Sequence, residues 1–379
     1  MKVFKKAILP LKFKANAVAC GIKRKNRLDL ALFYSEVPAK AAVKFTSNKI
    51  QAAPLQLAKN NLKLNCNFQA IIANSGNANC FTGKPGLKDA QETQSILANE
   101  LGIKKEAIFV SSTGVIGKRL QIDKIKIGVP EVVKGLSISG IDKAKKAIMT
   151  TDTFTKELTA KLKLGGKIVT ICGVAKGAGM IAPDMATMLC YIFTDIEISK
   201  KLLEQALDTA VENSFNCITV DGCMSTNDTV IVLANGAAGN KPVNASGMDY
   251  KEFSDGVNLI CLELAKMMVQ DAEGATKFIQ IKVAGARNAR DAKKAALAIA
   301  NSNLFKCAVY GENPNFGRIV AAVGASGAEV KEECFRVKVS DLKKKNINVD
   351  VDLNIGKSEA VVYSSDLTPE YIRINAEYN

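Results

Sequence analysis

The 379-residue sequence contains no histidine. A Ser-His-Asp triad, a Cys-His dyad and a histidine-ligated metal are therefore excluded from this chain. Acid–base chemistry near neutral pH must come from a perturbed lysine or carboxylate, or from an α-amino group. The ten cysteines include no Cys-x-x-Cys pair. Cys217 and Cys223 are close, but nothing completes a familiar zinc site beside them, and no metal is expected. Most cysteines read as small buried hydrophobes in a reducing cytosol. No apolar run approaches the roughly 20 residues needed to span a bilayer. Internal repeats and low-complexity linkers are also missing.

What is present suits a soluble protein of more than one core. Apolar residues make up 47% and charged residues 23%, and the length favours two domains. The net charge of +15 attracts acidic small molecules. The basic residues are scattered, only Lys343 to Lys345 form a tight run, and no nucleic-acid motif accompanies them. They read as a solvated surface, with neither nucleic acid nor membrane as partner. The basic N-terminus, MKVFKKAILPLKFK, has the charge of a transit peptide, but its apolar part is too short for a secretory signal. We read it as a first strand and expect a cytoplasmic protein.

Mixed α and β patterns run throughout. DLALFYS (29–35) and AAVKF (41–45) predict two short strands. QAIIA (69–73) predicts a buried strand that stops at NSGNAN, and AIFV (107–110) a strand that ends in the loop SSTGVIG. Leu87, Ala90, Ile96, Leu97 and Leu101 predict an amphipathic helix. KIVTICGV (167–174), MLCYIF (188–193) and DTVIVLA (228–234) predict strands. Ser199 caps a helix through Val211, and Phe253 to Met267 marks a long helix. Ile279, Ile281 and Val283 alternate, as do Ile347 to Ile355. These patterns predict a layered α/β fold over residues 1–276 and a smaller C-terminal α/β domain over 277–379.

The stretch KGAGMIAPDMATML (176–189) is unusual. Its Gly-x-Gly lacks the third glycine of a dinucleotide site, and GGK (165–167) lacks the remainder of a phosphate loop. Thr187 stands before an apolar strand. A threonine hydroxyl is a poor nucleophile without a base, and here no histidine exists to serve. If Thr187 became an N-terminus, its own α-amine would take the hydroxyl proton. That amine needs only a modest downward shift from about 7.7–8.0, and a cation such as Lys176 pushes that way. Small neighbours (Gly177, Ala178, Gly179, Ala186) let backbone approach backbone for a cut at Ala186–Thr187. SSTGVIG offers a Thr113 hydroxyl and a Gly114 N–H to a developing oxyanion. Residue types alone also allow an ordinary strand residue and an ordinary turn.

Eight ordered segments carry a resemblance: KGAGMIAPDMATMLC, NSGNANCFTG (74–83), SSTGVIG (111–117), MTTDTF (149–154), VDGCMSTNDT (220–229), DAEGATK (271–277), GENPNFGRI (311–319) and YIRINAEYN (371–379). Together the chain resembles the ornithine acetyltransferase family, also called glutamate N-acetyltransferases. The resemblance implies chemistry like that of N-terminal-nucleophile hydrolases on a sandwich of its own topology. It implies autocleavage into an α chain (1–186) and a β chain (187–379), paired as α2β2. It implies ping-pong acetyl transfer from N2-acetyl-L-ornithine to L-glutamate through acetyl-Thr187, in arginine biosynthesis. No cofactor is implied, though some relatives also take acetyl-CoA as donor. Thr187 is the implied nucleophile, and Thr113 and Gly114 the oxyanion hole. Thr150, Lys176, Thr187, Glu273, Asn375 and Asn379 are the implied substrate contacts, with Thr151 an open alternative to Thr150. Two departures stand out. Asn379 occupies the end where relatives have Ser or Thr, and Cys223 stands where an acidic residue is commoner. A self-processing aminopeptidase or amidase with the same threonine is the rival reading. A non-enzymatic basic binder is opposed by the scattered charge.

Overall fold

A computed structural model describes residues 1–23, 26–64, 67–182 and 188–377. These residues fall into two compact units. The first holds residues 1–177, 188–214 and 224–264, and the second holds 178–182, 215–223 and 265–377. Among the described residues, no helix is long and apolar enough to cross a membrane.

The first unit has nine strands: β1 (Lys2–Phe4), β2 (Phe13–Val18), β3 (Leu30–Phe45), β4 (Phe68–Asn77), β5 (Ile108–Val115), β6 (Lys156–Leu164), β7 (Lys167–Lys176), β8 (Leu189–Thr194) and β9 (Thr229–Ala234). Its helices are α1 (Ala53–Lys63), α2 (Gly83–Leu101), α3 (Ile122–Lys134), α4 (Ile141–Ala147), α5 (Lys200–Glu212) and most of α6 (Met248–Gln270). The strand order is β1-β6-β7-β8-β9-β3-β4-β5, with β2 also on β3.

β3 belongs to both halves of this order. Leu30–Tyr34 pairs with β2 and β4, and Lys40–Phe45 pairs with β9. The register shifts between Tyr34 and Ala39, and Pro38 lies in that bulge, where a missing N–H costs no ladder bond. Alternation along β3 sends Leu30 and Leu32 to a core with α2 and α3, and Ala31 and Phe33 to the opposite core. In that second core Phe13 and Phe33 meet Tyr191 and Phe193 of β8, with ring centroids 5.2–5.3 Å apart. Ile260 and Leu264 of α6 cover the other face of β7 at Gly173. The layers are therefore helix, sheet, sheet, helix.

The second unit has a four-stranded sheet, ordered β11-β12-β10-β13, from β10 (Phe278–Ala286), β11 (Arg336–Val339), β12 (Asn346–Asp352) and β13 (Ser358–Ser365). Helices α7 (Ala289–Ala300), α8 (Asn303–Tyr310), α9 (Gly317–Gly324) and α10 (Pro369–Ala376) follow the same chain order. Ile279, Ile281 and Val283 share a core with Ile347, Val349, Val351 and the alanine face of α7. Side-chain caps from Asn288, Ser302 and Thr368 start α7, α8 and α10.

Several expectations need correction. The two short strands at 29–35 and 41–45 are one sixteen-residue strand, because the bulge absorbs the irregular middle. β4 runs through the NSGN turn formers to Asn77, and β5 through SSTG to Val115, because each completes the other's ladder. Gly165 and Gly166 form the two-residue turn between β6 and β7, both with positive φ, as a tight hairpin requires. Of the nine described cysteines only Cys80, Cys172, Cys190 and Cys261 are buried, and Cys223 and Cys307 are exposed.

Candidate active site

Ala186, Thr187 and Asn379 lie outside the described residues. The other expected site residues are described. Thr113, Gly114, Thr150 and Lys176 belong to the first unit, and Glu273 and Asn375 to the second.

Thr113 and Gly114 end β5, where it runs parallel to β4. Gly114 has φ +133°, and a Cβ there would lie 2.3 Å from the Gly76 carbonyl carbon. Only glycine lets the two strand ends come so close. Buried asparagines hold the pair. Ser112 Oγ donates to Asn74 Oδ1 at 2.6 Å, and Asn74 Nδ2 donates to the Asn77 carbonyl at 2.8 Å. Asn227 Nδ2 donates to the carbonyls of Ala78 and Ser112 at 2.7 and 2.8 Å. Backbone donors can thus be held rigidly at the C-terminal ends of two parallel strands, a frequent ligand position in α/β sheets.

Lys176 ends β7 and pairs in register with Leu189 of β8. It is buried, as are Lys156 and Asp152. Asp152 Oδ1 accepts from Lys156 Nζ and from the Gly177 N–H, both at 2.7 Å, and Oδ2 accepts from the Thr150 N–H at 2.9 Å. Burial by itself would raise the Asp152 carboxyl, but the charges of Lys176 and Lys156 prevail and hold it below the usual carboxylate range. One carboxylate therefore brings Thr150 and the Lys176–Gly177 turn together. Lys23 supports the same region, donating to the carbonyls of Leu28, Ala147 and Met149 at 3.2, 3.2 and 2.5 Å. Its burial, then the nearby Arg27, pulls its pKa down to about 8.

The start of β8 is fixed from β9. Met188 donates its N–H to Asp228 Oδ1 at 2.7 Å, and its carbonyl accepts from the Thr229 N–H at 3.1 Å. Asp228 is wholly buried, and burial lifts its carboxyl well above the ordinary range despite the Met188 N–H and the Lys176 charge.

In the second unit Glu273 is half-buried and Asn375 exposed. Asn375 Nδ2 donates to Glu273 Oε2 at 2.8 Å, and the Glu273 N–H donates to the Ala178 carbonyl at 3.0 Å. A Cβ on Gly179 would lie 2.3 Å from the Glu273 carboxylate, so this chain passes directly against it. Asp221 accepts from the N–H groups of Met180 and Ile181 at 2.6 and 2.9 Å, and from the Tyr371 hydroxyl at 3.1 Å. Cys223 donates its N–H to the same Asp221 at 3.1 Å.

The profile of the ArgJ family matches residues 14–343 and 338–379. The chain belongs to the ArgJ family. An ArgJ relative, the arginine biosynthesis bifunctional protein of Geobacter sulfurreducens, is 44% identical over 388 residues and covers 97% of this chain and 98% of its own. The glutamate N-acetyltransferase of Methanocaldococcus jannaschii is 45% identical, covering 97% of each chain. Among solved structures, the ornithine acetyltransferase of Mycobacterium tuberculosis complexed with ornithine is 37% identical. That match covers 48% of this chain and 97% of the other, with a TM-score of 0.45.

Of the family-implied residues, Asp152 links Thr150 to the Lys176–Gly177 turn, and Asn375 meets Glu273. Sequence reading did not single out Asp152, Asp221, Asn227 or Asp228. All four lie inside segments that carried the resemblance. The signal available was an acidic or amide residue among apolar neighbours, as in STNDTVIV.

Proposed function

We propose that this chain is an acetyltransferase of arginine biosynthesis that moves the acetyl group of N2-acetyl-L-ornithine to L-glutamate. The observation that carries the reading is the family match at 44% identity across nearly the whole chain, on both sides of Ala186–Thr187. The Thr187 hydroxyl first attacks the Ala186 carbonyl. The Thr187 nitrogen leaves as an amine, and water hydrolyses the resulting ester to free residues 1–186 from 187–379. The liberated α-amine then takes the hydroxyl proton as Oγ attacks the acetyl carbonyl of N2-acetylornithine. The C–N bond breaks, and ornithine departs with that proton. Glutamate's amine attacks the acetyl ester, and the alcohol is restored as N-acetylglutamate forms.

Thr113 and Gly114 stabilise the oxyanion in each step. The glycine-only approach at Gly114 and its asparagine bracing support that role. Lys176 binds a substrate carboxylate and Glu273 an α-amine, assisted by Thr150, Asn375 and Asn379. The chemistry needs no cofactor, and acetyl-CoA is a second donor to test. The enzyme works in the cytoplasm as α2β2.

Denaturing electrophoresis with N-terminal sequencing tests the reading. The parent should give two chains, one beginning at Thr187, and T187A one intact chain. Incubation with N2-acetylornithine should yield acetylglutamate only when glutamate is added. Rapid release of free acetate without glutamate would instead identify an amidase.

A further inference from the structure

Asn227 and Asp228 are adjacent, buried, and immediately precede β9. Their side chains hold different strands. Asn227 Nδ2 donates to the Ser112 carbonyl at 2.8 Å, one residue before Thr113, and to the Ala78 carbonyl at 2.7 Å, just past β4. Its Oδ1 accepts from the Thr226 hydroxyl at 2.7 Å, which orients the amide so that both its N–H bonds point at those carbonyls. Asp228 Oδ1 accepts the N–H of Met188 at 2.7 Å, and the next residue, Thr229, donates its N–H to the Met188 carbonyl at 3.1 Å. Met188 is bonded to Thr187. Both of its backbone polar groups are thus committed to residues 228 and 229.

We propose that the Asn227–Asp228 pair is the positioning element of the acetyl-transfer reaction: one residue holds the strand bearing the oxyanion donors, and the next holds Met188, the residue bonded to the nucleophile. The spacing between attacking oxygen and oxyanion donors is then set by a single peptide unit instead of by two loops moving independently. This rests on the proposed role of Thr187. Both act through the groups they hold. The Asp228 carboxyl is wholly buried, and burial raises it well above the ordinary range despite the Met188 N–H, the Lys176 charge and the nearby Ser225 and Thr46 hydroxyls. An asparagine at 228 keeps the acceptor for Met188 and carries no charge.

The test uses full-length N227A, D228A, D228N and T187A, with processing followed on denaturing gels and kcat measured per processed chain. D228N should process fully and keep close to the parent's kcat. D228A and N227A should process slowly and lose about 10²-fold in kcat, the scale of a small misplacement of reacting groups, with KM for N2-acetylornithine nearly unchanged. The double variant N227A/D228A should lose little more than the worse single one, as expected of residues acting as a unit. Parental kcat in folded D228A and N227A overturns the proposal. So does an effect confined to KM, or a D228N as impaired as D228A while melting at the parental temperature. If D228A does not fold, D228N decides in the same two directions. Processing or transfer by T187A removes the nucleophile reading whatever residues 227 and 228 do. A silent T187A beside fully active D228A and N227A removes the positioning role alone.

Discussion

Gly114, Asp152 and Lys306 each have a surrounding that forbids the obvious substitution. At Gly114 a methyl group would have to displace the Gly76 backbone, and φ is +133°. G114A should lower kcat by about 10²–10³-fold, the cost of losing one oxyanion donor, and should also lower the melting temperature. Removing the Asp152 charge leaves Lys156 and Lys176 buried without it. D152N should destabilise the fold by about 3–5 kcal/mol in urea titrations at pH 7. Asp152 is held below the usual carboxylate range when folded, so its contribution is present above the unfolded pKa of about 4 and is lost as pH falls through the lower, folded one. D152N should therefore show a shallower loss of stability in acid than the parent. Lys306 is the reverse kind of case. It is buried in the second unit, donates to the Val220 carbonyl, and burial lowers its pKa from 10.5 to about 8 despite the nearby Asp221 and Asp366. Its charged form opposes folding below pH 8. Parental stability should therefore rise by about 3 kcal/mol between pH 8 and 10.5, and K306M should lack that rise in unfolding titrations across the interval.

Among the elements, β7 is closely packed against α6 at Gly173. A Cβ on Gly173 would lie 2.5 Å from Ile260 and 2.9 Å from Leu264 of α6, both well-packed core residues. G173A should cost about 1–3 kcal/mol by chemical denaturation, the usual penalty for overpacking, with no change in the cleavage position. Element by element, periodicity was a good guide where one face meets one core. The alternation at 279–283, the helix from Phe253 to Met267 and the Ser199 cap appear as read, and the alternation read over 347–355 appears as β12, which ends at Asp352, just before Asn354 turns to positive φ. It misled at β3, β4 and β5. There Gly, Asn, Ser and Pro have low strand propensity, yet pairing with a neighbour keeps the chain extended. The proposed oxyanion donors, Thr113 and Gly114, sit on one of those irregular strand ends. The sequence reading near Lys277 coincides with the onset of β10, while the second unit also takes in the end of α6 and the segments 178–182 and 215–223.

On the scale of the whole molecule, sheet order would hold together a chain cut at the proposed bond. Residues 1–186 supply β1 to β7, and β8 and β9 come from beyond the proposed cleavage point. In the sheet, β8 lies against β7, and β9 lies against β3. The two later strands are thus inserted between strands of the earlier fragment, and separating the fragments requires breaking two ladders and the aromatic cluster of Phe13, Phe33, Tyr191 and Phe193. The processed fragments should co-elute on native size exclusion and separate only in denaturant. Elution of the fragments apart in native buffer would contradict this topology.

The sequence by itself determined that histidine plays no part, that a threonine within small residues was the candidate nucleophile, and that the chain belongs among the acetyltransferases of arginine biosynthesis. Those conclusions need only residue identities and their local order. Tertiary structure decided that one carboxylate joins Thr150 to the Lys176–Gly177 turn, that β3 is a single strand serving two cores, and that Asn227 holds the Ala78 and Ser112 carbonyls while Asp228 holds the Met188 N–H. The physical reason is distance along the chain. Asn227 meets Ser112 across 115 positions and Asp228 meets Met188 across 40, and such contacts form only when the sheets assemble.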